Sequence, residues 1–338
     1  MNRHPVRRTV LALALATAAC GAFAQKPAKP QAAAKTPAAP WPTKAVRIMV
    51  GFPGGSTPDL VARTIAEPLS KALGQPVIVE NRPGAGGNIA ADVVAKATDN
   101  HTIGVMINGN LTIAKLLNPA TPFDPQKDLA PISLIGTAPL LLTAPANAPG
   151  NTAQEFFLAA RNAGNKWSYG TPGVGTVGHI GMELLKTKTN IDPVHVPYPG
   201  NPQVITAMIG GQIHLSLLPP GLAAAQIRAG KLKAIGVTST GRSPLVPEYP
   251  SLDEGGVTRG FQLEIWTAAA APQSMPKPIV AKLSALISEI ARTPEVRQKL
   301  FQQGWQVAGT SSEGLANRIK ADTALLGGVI AMRNIKAQ

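Results

Sequence analysis

Apolar runs alternate with amphipathic runs along most of the 338-residue chain. Short Val-, Ile- and Leu-rich runs are typical of buried strands, and the longer segments between them have the period of helices. This alternation favours an α/β fold with parallel strands. The predicted strands are Val46–Phe52, Val77–Glu80, Ile103–Ile107, Ser168–Gly170, Val194–Val196, Leu215–Leu218, Lys233–Val237 and Leu263–Ala271. The predicted helices are Asp59–Leu73, Asn88–Lys96, Leu111–Leu117, Ala153–Asn162, Gly178–Thr187, Pro202–Ile209 and Gly221–Ala229, with a nearly all-helical tail from Lys277 to about Ile330.

The pattern predicts two lobes that are joined by a hinge. Prolines break the long apolar stretch APISLIGTAPLLLTAP into two extended pieces, which is typical of a chain crossing between lobes. The strand from Leu263 is a second crossing, and the helical tail after it forms no lobe of its own. We therefore expect a first lobe at 41–140, a second at 141–264, and a return to the first lobe at 265–338.

The N-terminus has the composition of an export signal. Arg3, Arg7 and Arg8 precede a short apolar run, and an A-x-A cleavage site ends at Ala24. Residues 1–24 are therefore predicted to be a signal peptide, which implies a periplasmic protein. A twin-arginine signal remains open as an alternative, and so does a lipoprotein signal at Cys20. Residues 25–40, rich in Pro, Ala and Lys, are predicted to be an extended spacer.

Cysteine and charge exclude several classes of function. Cys20 is the single cysteine, and cleavage after Ala24 would leave no disulfide, thiolate nucleophile or cysteine metal ligand. The formal charge is +14, and residues 1–40 contain six basic and no acidic residues, so residues 41–338 carry +8. Nucleic acid is disfavoured as a partner because the chain has no basic run and only 4% aromatic residues. A diffuse positive field suits small anions, although it can equally serve solubility alone.

Three glycine-rich loops carry the candidate chemistry. They read FPGGSTPD from Phe52, NRPGAGGN from Asn81 and TPGVGTVGH from Thr171, and each joins a predicted strand to a predicted helix. Glycine lets a ligand approach the backbone, and a helix N-terminus offers free N–H groups with about half a positive charge. Three such loops predict a cleft that holds a small anion such as a carboxylate or phosphate.

The candidate ligand-binding residues lie in these loops and at two further strand ends. They are Phe52, Gly55, Ser56, Thr57 and Asp59 of the first loop, Ala85 and Gly86 of the second, Gly175, Thr176 and His179 of the third, Asn108 at the end of the strand Ile103–Ile107, and Tyr198 and Gly200 of the turn YPGNP. Each has a structural alternative. The loops can simply cap helices, Asp59 is favoured by a helix dipole without any ligand, and His179 can be a packed histidine.

Other sites are disfavoured by their spacing. The third loop contains a G-x-G-x-x-G pattern, but Asp192 precedes the next strand instead of following it, which argues against a dinucleotide. His179 and Glu183 share a helix face, yet no third zinc ligand is evident. No catalytic motif is present either. We therefore expect no enzyme, no cofactor and no metal, with an exported α/β hydrolase kept as the less favoured alternative.

The chain resembles the periplasmic solute-binding proteins of tripartite tricarboxylate transporters, the Bug family. The stretches that carry the resemblance are VGFPGGSTPDLVAR, VIVENRPGAGGNIAADVVAKA, PFDPQKDLAPISLIG, SYGTPGVGTVGHIGMELLK, VPYPGNPQVITAMIGGQI and GKLKAIGVTSTGRSP. They occur in the family's order and span about residues 41–270. Pro199 and His214 depart from the family pattern, which more often has a Lys or Arg and an Asp there.

The resemblance implies a type II periplasmic binding fold, with two α/β lobes and two crossing hinge strands that close like a flytrap on a carboxylate. The ligand class would be a mono-, di- or tricarboxylate or an acidic amino acid. The implied partners are the membrane subunits of a tripartite transporter, with presentation to a sensor kinase as the alternative. A monomer is expected.

Overall fold

The elements follow the predicted alternation closely. The computed structural model describes residues 41–333 and residue 335; the predicted signal peptide and the whole of the predicted spacer lie outside the described residues. The first part of the chain forms β1 (Val46–Val50), α1 (Thr57–Leu73), β2 (Val77–Asn81), α2 (Asn88–Ala95), β3 (Thr102–Ile107), α3 (Asn108–Thr112), α4 (Ala114–Leu117), α5 (Pro125–Asp128) and β4 (Leu129–Pro139). The predicted helix 111–117 is divided in two because Ile113, with φ −111° and ψ −1°, departs from helical geometry.

The remaining elements continue the same alternation. The middle of the chain forms β5 (Leu141–Pro145), α6 (Ala153–Ala163), β6 (Ser168–Thr171), α7 (Val177–Thr189), β7 (Val194–Pro197), α8 (Asn201–Ile209), β8 (Ser216–Leu218), α9 (Pro220–Arg228) and β9 (Leu232–Val237). The last part forms β10 (Glu264–Pro272), α10 (Lys277–Arg292), α11 (Pro294–Gln302), β11 (Gln306–Val307) and α12 (Ser312–Arg333).

One lobe is built on a six-stranded sheet in the order β11-β4-β10-β3-β1-β2. β1 pairs parallel with β2 and β3, whereas β10 is antiparallel to both β3 and β4. The expectation of parallel strands is therefore wrong for β10, because β4 leaves this lobe in the direction of β1 to β3 and β10 returns to it in the opposite direction. The core of the sheet includes Ile48 and Ile65 together with Ile287 and Trp305 of the C-terminal part.

The other lobe contains two smaller sheets. β5 lies between β8 and β9 and is antiparallel to both, while β6 and β7 form a parallel pair. β5 enters the lobe as the continuation of a crossing strand, which explains its opposite direction. Phe156, Phe157, Tyr169 and Leu185 are fully buried in its core.

Thr238 ties the two crossings together where they pass between the lobes. Its hydroxyl accepts the N–H of Leu140 at 2.8 Å and donates to the carbonyl of Leu263 at 2.6 Å. Its backbone also bonds both residues, at 2.8 and 2.9 Å. Leu140 lies between β4 and β5, and Leu263 directly precedes β10, so one buried threonine fixes the spacing of the hinge strands.

We expect Thr238→Val to lower the free energy of unfolding by about 2–4 kcal/mol, because it leaves two backbone groups at the hinge unpaired. Urea denaturation measures the change. Thr206→Val is the control, since that hydroxyl bonds only its own helix at Pro202, and it should change the stability by less than about 0.5 kcal/mol. Equal losses in the two variants would contradict a special role for Thr238.

Candidate functional site

A small buried cavity of about 40 Å³ lies between the two lobes. That space suits a carboxylate group or two to three water molecules. Its lining comes from both lobes and from both crossing strands: Phe52, Ser56, Thr57, Pro58, Ile107, Asn108, Leu140, Pro172, Thr176, Val177, Gly178, Asn201, Leu217, Pro219, Ile265 and Trp305. We call this space the interlobe cavity.

Four of the described helices with nine or more residues begin at the interlobe cavity. The N-terminal residues of α1, α7, α8 and α9 all contribute to the lining, and these helices are 17, 13, 9 and 9 residues long. Each N-terminus carries free N–H groups and about half a positive charge. α1 belongs to the first lobe and the other three belong to the second, so the dipoles converge on the cavity from both lobes. The arrangement favours an anion.

Five buried polar atoms in the same lining have no hydrogen-bond partner in the protein. They are Ser56 Oγ, Thr57 Oγ1, Asn108 Oδ1, Asn201 Oδ1 and Trp305 Nε1, and they are half of the ten such side-chain atoms among the described residues. A buried polar group without a partner costs about 1–3 kcal/mol, so five around one cavity indicate groups arranged for a ligand.

Ser56 shows why these hydroxyls are available. It occupies the N-cap position of α1, with φ −72° and ψ 160°, but its side chain makes no capping bond. Thr176, at the same position of α7, does cap its helix: its hydroxyl accepts the N–H of His179 and donates to the carbonyl of Gly173 at 2.8 Å. The Ser56 hydroxyl of the first loop is therefore available to a ligand, whereas the Thr176 hydroxyl stabilises the conformation of the third loop.

A larger cavity of about 470 Å³ lies beside the second and third glycine loops and shares Pro172 with the interlobe cavity. Its lining is Gly84, Ala85, Gly86, Asn88, Gly109, Asn110, Ala114, Leu117, Asn118, Pro172, Gly173, Val174, Gly175, Pro197, Tyr198 and Pro199. Among the residues that the structure describes, no Lys, Arg, Asp, Glu or His side chain lines either cavity. Whatever these cavities hold is therefore met by neutral groups, backbone dipoles and apolar surface.

Glycines from the two lobes meet backbone to backbone at this larger cavity. A Cβ atom on Gly86 would lie 2.5 Å from the carbonyl oxygen of Val174, and one on Gly109 would lie 2.5 Å from that of Gly175. Real side chains do not approach so closely, so this contact needs glycine. The second loop and the start of α3 thus form one closing surface, and the third loop forms the opposite one.

The predicted site residues are divided among three places. Phe52, Ser56, Thr57, Asn108 and Thr176 line the interlobe cavity. Ala85, Gly86, Gly175 and Tyr198 line the larger cavity. Gly55, Asp59, His179 and Gly200 line neither.

Asp59 stabilises the conformation of the first loop. Its carboxylate accepts the N–H of Gly55 at 2.9 Å, the amide of Asn81 at 2.8 Å and the guanidinium of Arg63 at 3.1 Å. Burial opposes ionisation, but the hydrogen bonds from Arg63, Asn81 and Gly55 outweigh it and hold the pKa of Asp59 below its ordinary value. The N–H of Gly55 is thereby engaged inside the loop. Gly200, in contrast, lies against Pro53 of the opposite lobe.

His179 belongs to a stack of rings beneath the third loop. Its ring lies 4.4 Å from that of His195, which in turn lies 4.8 Å from that of Tyr169. Nδ1 of His179 accepts the N–H of Gly175 at 3.4 Å, and Nε2 of His195 lies 2.7 Å from the hydroxyl of Thr171. Burial, the neighbouring His179 and the positive charge of Lys186 lower the pKa of His195 to about 4.

The pKa of His195 predicts a loss of stability in mild acid. The unfolded chain binds a proton near the ordinary histidine pKa of about 6.5, whereas the folded chain does so only near 4. The contribution of neutral His195 to the free energy of unfolding is therefore complete above about pH 6.5, and it falls as the pH drops below that value. We expect the free energy of unfolding to decrease by about 1–2 kcal/mol between pH 7 and pH 5. Urea titrations should show a smaller decrease in His195→Gln, and an identical decrease in both proteins would contradict the assignment.

Sequence reasoning missed Asn201 and Trp305. Asn201 had a usable signal, because it follows Gly200 at the start of a helix in the same way that Ser56 follows Gly55. Trp305 had none, since it reaches the cavity from the end of α11, far along the chain.

His214, one of the departures from the family pattern, lies outside both cavities: it stacks on Trp167 and accepts the N–H of Ser168 at 3.1 Å.

Two α/β lobes, two crossing strands and a buried cavity between the lobes define the class of two-lobe periplasmic binding proteins. The sequence model of the "Tripartite tricarboxylate transporter family receptor" matches residues 61–335. The chain belongs to this family.

Individual relatives are similar over nearly the whole chain. A UPF0065 protein of a Pseudomonas species is 33% identical over 284 residues, which are 84% of each chain. The structure of MatC from Rhodopseudomonas palustris with bound malate is 33% identical, with a TM-score of 0.81 over 86% of this chain and 100% of MatC. A second R. palustris protein, solved with adipate, is 29% identical, with a TM-score of 0.84 over 88% of this chain and 99% of its own.

The part of the chain that the structure describes shows neither a membrane-spanning helix nor a metal cluster. None of the described helices is both long and apolar enough to span a bilayer. The described residues also contain no group of three or more His, Cys, Asp or Glu side chains placed to hold a metal ion.

Proposed function

We propose that this protein is a periplasmic receptor that captures a small carboxylate between its lobes and delivers it to the membrane subunits of a tripartite transporter. One observation carries the proposal: four helix N-termini and three unpaired donor groups, those of Ser56, Thr57 and Trp305, surround the interlobe cavity, and no charged side chain of the described residues lines it.

The chemistry of these groups favours a carboxylate. The hydroxyls of Ser56 and Thr57 and the indole N–H of Trp305 are donors, and helix N-termini favour negative charge. Hydrogen bonds to a charged group are about twice as strong as those between neutral groups, so an anion gains most from this donor set. A carboxylate can enter without burying a second charge, since the dipoles supply the compensation. The relatives solved with malate and adipate support this ligand class.

Capture and closure would form one process. The first lobe contributes the N-termini of α1 and α3. The second lobe adds those of α7, α8 and α9 when Gly86 contacts Val174 and Gly109 contacts Gly175. Closure then excludes water and strengthens every bond in the cavity. Both halves of the site come from a single chain, which supports a monomeric receptor.

The same lining argues for binding instead of catalysis. A nucleophilic Ser56 or Thr57 would need a histidine, carboxylate or lysine beside it as a base. Neither cavity is lined by such a side chain. His179, beneath the third loop, uses its Nδ1 to accept the N–H of Gly175.

A thermal-shift screen tests the proposed function. The protein is unfolded and refolded to remove any bound ligand, and it is then heated with a panel of mono-, di- and tricarboxylates, each paired with its uncharged amide. A carboxylate at 100 times its dissociation constant should add about 2.7 kcal/mol to the free energy of unfolding. Amides should have little effect. The proposal is wrong if no carboxylate raises the melting temperature, or if the amides raise it equally.

Delivery to a transporter needs a separate experiment. Proteoliposomes that contain the membrane subunits should take up the labelled carboxylate only when the receptor is present with it. Uptake at the same rate without the receptor would contradict this part of the proposal.

A further inference from the structure

His179 lies beside the site without lining either cavity, and its side chain is only 4% exposed. Its Nδ1 accepts the N–H of Gly175, whose own carbonyl lies against Gly109 of the opposite lobe. The ring therefore links α7 to Gly175, the residue at which the third loop contacts the first lobe.

We propose that His179 is a positioning residue: as a neutral imidazole it accepts the Gly175 N–H and holds the third loop in the shape required for closure, and protonation of the ring releases that loop. In the neutral ring the proton must be on Nε2, because Nδ1 is the acceptor. The imidazolium has a proton on both nitrogens, so Nδ1 would then face the Gly175 N–H as a second donor.

The surroundings of His179 favour the neutral ring. Burial, followed by the positive charge of Lys186, lowers the pKa of His179, while Glu183 acts in the opposite direction. His179 is also the third residue of α7, where the helix dipole disfavours a cation.

The other charged or titratable groups around the ring stack do not stabilise a protonated His179. From β6, the Tyr169 hydroxyl donates to Glu183 at 2.5 Å, and Lys186 lies 3.4 Å from the same carboxylate. Lys186 is also 3.4 Å from Asp192. From β7, His195 stacks on His179 and is itself held neutral. Glu183 is thus already engaged by two partners, which leaves His179 without a free carboxylate.

A consequence for binding follows, and it rests on the proposed function. Closure brings Gly175 against Gly109, so a third loop that has lost its bond to His179 should meet the first lobe less well. The receptor should then hold its carboxylate more weakly in mild acid than at neutral pH, also after correction for protonation of the carboxylate itself.

The first test needs no ligand and no variant. Nitrogen-15 spectra of the histidine rings at pH 7 should show Nδ1 of His179 unprotonated and Nε2 protonated, with titration below the ordinary range. A ring protonated on Nδ1 at pH 7, or one that titrates at or above the ordinary histidine pKa, would overturn the proposal.

The second test follows the bond itself through hydrogen exchange of the Gly175 amide. Rates are corrected for the intrinsic pH dependence of exchange and compared at pH 7 and pH 5. His179→Leu should exchange about fivefold faster than the parent at pH 7, as expected for the loss of one hydrogen bond. His179→Gln keeps an acceptor that does not titrate, so it should restore protection and remove the difference between the two pH values.

His214→Gln is the matched control. His214 also lies in the second lobe, stacks on an aromatic ring and accepts a backbone N–H through Nδ1, but its donor is Ser168 and not the third loop. This variant should leave the Gly175 exchange and its pH response unchanged. The same acceleration in His214→Gln as in His179→Leu, or no acceleration in His179→Leu, would contradict the positioning role.

These measurements separate the two proposals. Exchange and ring nitrogens are read on the ligand-free protein, so they can fail while the carboxylate screen succeeds, and the reverse also holds. If His179→Gln does not fold, the ring spectrum of the parent protein still decides the question.

Discussion

The double variant Ser56→Ala/Thr57→Val should bind the best carboxylate of the screen at least about 10²-fold more weakly than the parent. Each hydroxyl that donates to a charged ligand contributes about 1.5–3 kcal/mol, and two are removed. The free energy of unfolding should stay unchanged or rise, because neither hydroxyl has a partner in the protein. A serine at an N-cap normally contributes about 1 kcal/mol to its helix, but Ser56 makes no capping bond. Isothermal titration calorimetry and urea denaturation give the two quantities.

Thr152→Val provides the opposite behaviour as a control. Thr152 is a true cap of α6, and its hydroxyl accepts the N–H of Glu155 at 3.2 Å, away from both cavities. That variant should lose about 1 kcal/mol of stability and keep its affinity. A double variant that loses stability but retains affinity would show that Ser56 and Thr57 are ordinary helix residues, and the proposed site would be wrong.

Gly109→Ala should reduce carboxylate affinity by about tenfold to a hundredfold without harming the fold. Its Cβ would lie 2.5 Å from the carbonyl of Gly175 in the opposite lobe, and such overpacking typically costs about 1–3 kcal/mol. The clash arises only when the two lobes are in contact. Within its own lobe Gly109 lies in α3, where alanine is preferred to glycine. Calorimetry gives the affinity, and small-angle scattering with ligand should show a less compact protein.

Gly328→Ala is the control for this substitution. Gly328 is also helical, in α12, and a Cβ there would meet nothing within 4 Å. It should raise the stability by up to about 1 kcal/mol and leave binding unchanged. If Gly109→Ala binds as tightly as Gly328→Ala, the glycine contact does not limit closure.

Local signals were sufficient to predict much of the fold. The strand, glycine loop and helix around Phe52 could be placed because glycine, proline and capping residues act over a few positions. The crossing near Pro139 was visible because prolines interrupt an otherwise apolar run. The direction of β10 beside β3 was not predictable in this way, since it depends on where the chain returns after the second lobe.

The candidate site was less accessible to sequence reasoning. Ser56 and Asp59 are three residues apart and were both candidate ligand-binding residues, yet Asn81 and Arg63 form hydrogen bonds with the side chain of Asp59 and not with that of Ser56. Which polar group remains unpaired depends on neighbours that are distant in the chain. The same reason explains why Trp305 carried no signal at all.

The backbone contact between Gly86 and Val174 has a consequence for how such receptors can diversify. Closure at this surface depends on main-chain shape, which is the same whatever side chains lie nearby. Side chains such as Tyr198, Asn118 or Leu117, which line the larger cavity, can therefore change without altering this contact, and under the proposed function the preference for a ligand can change with them. A set of receptors with different cargoes could in this way share one mechanical design.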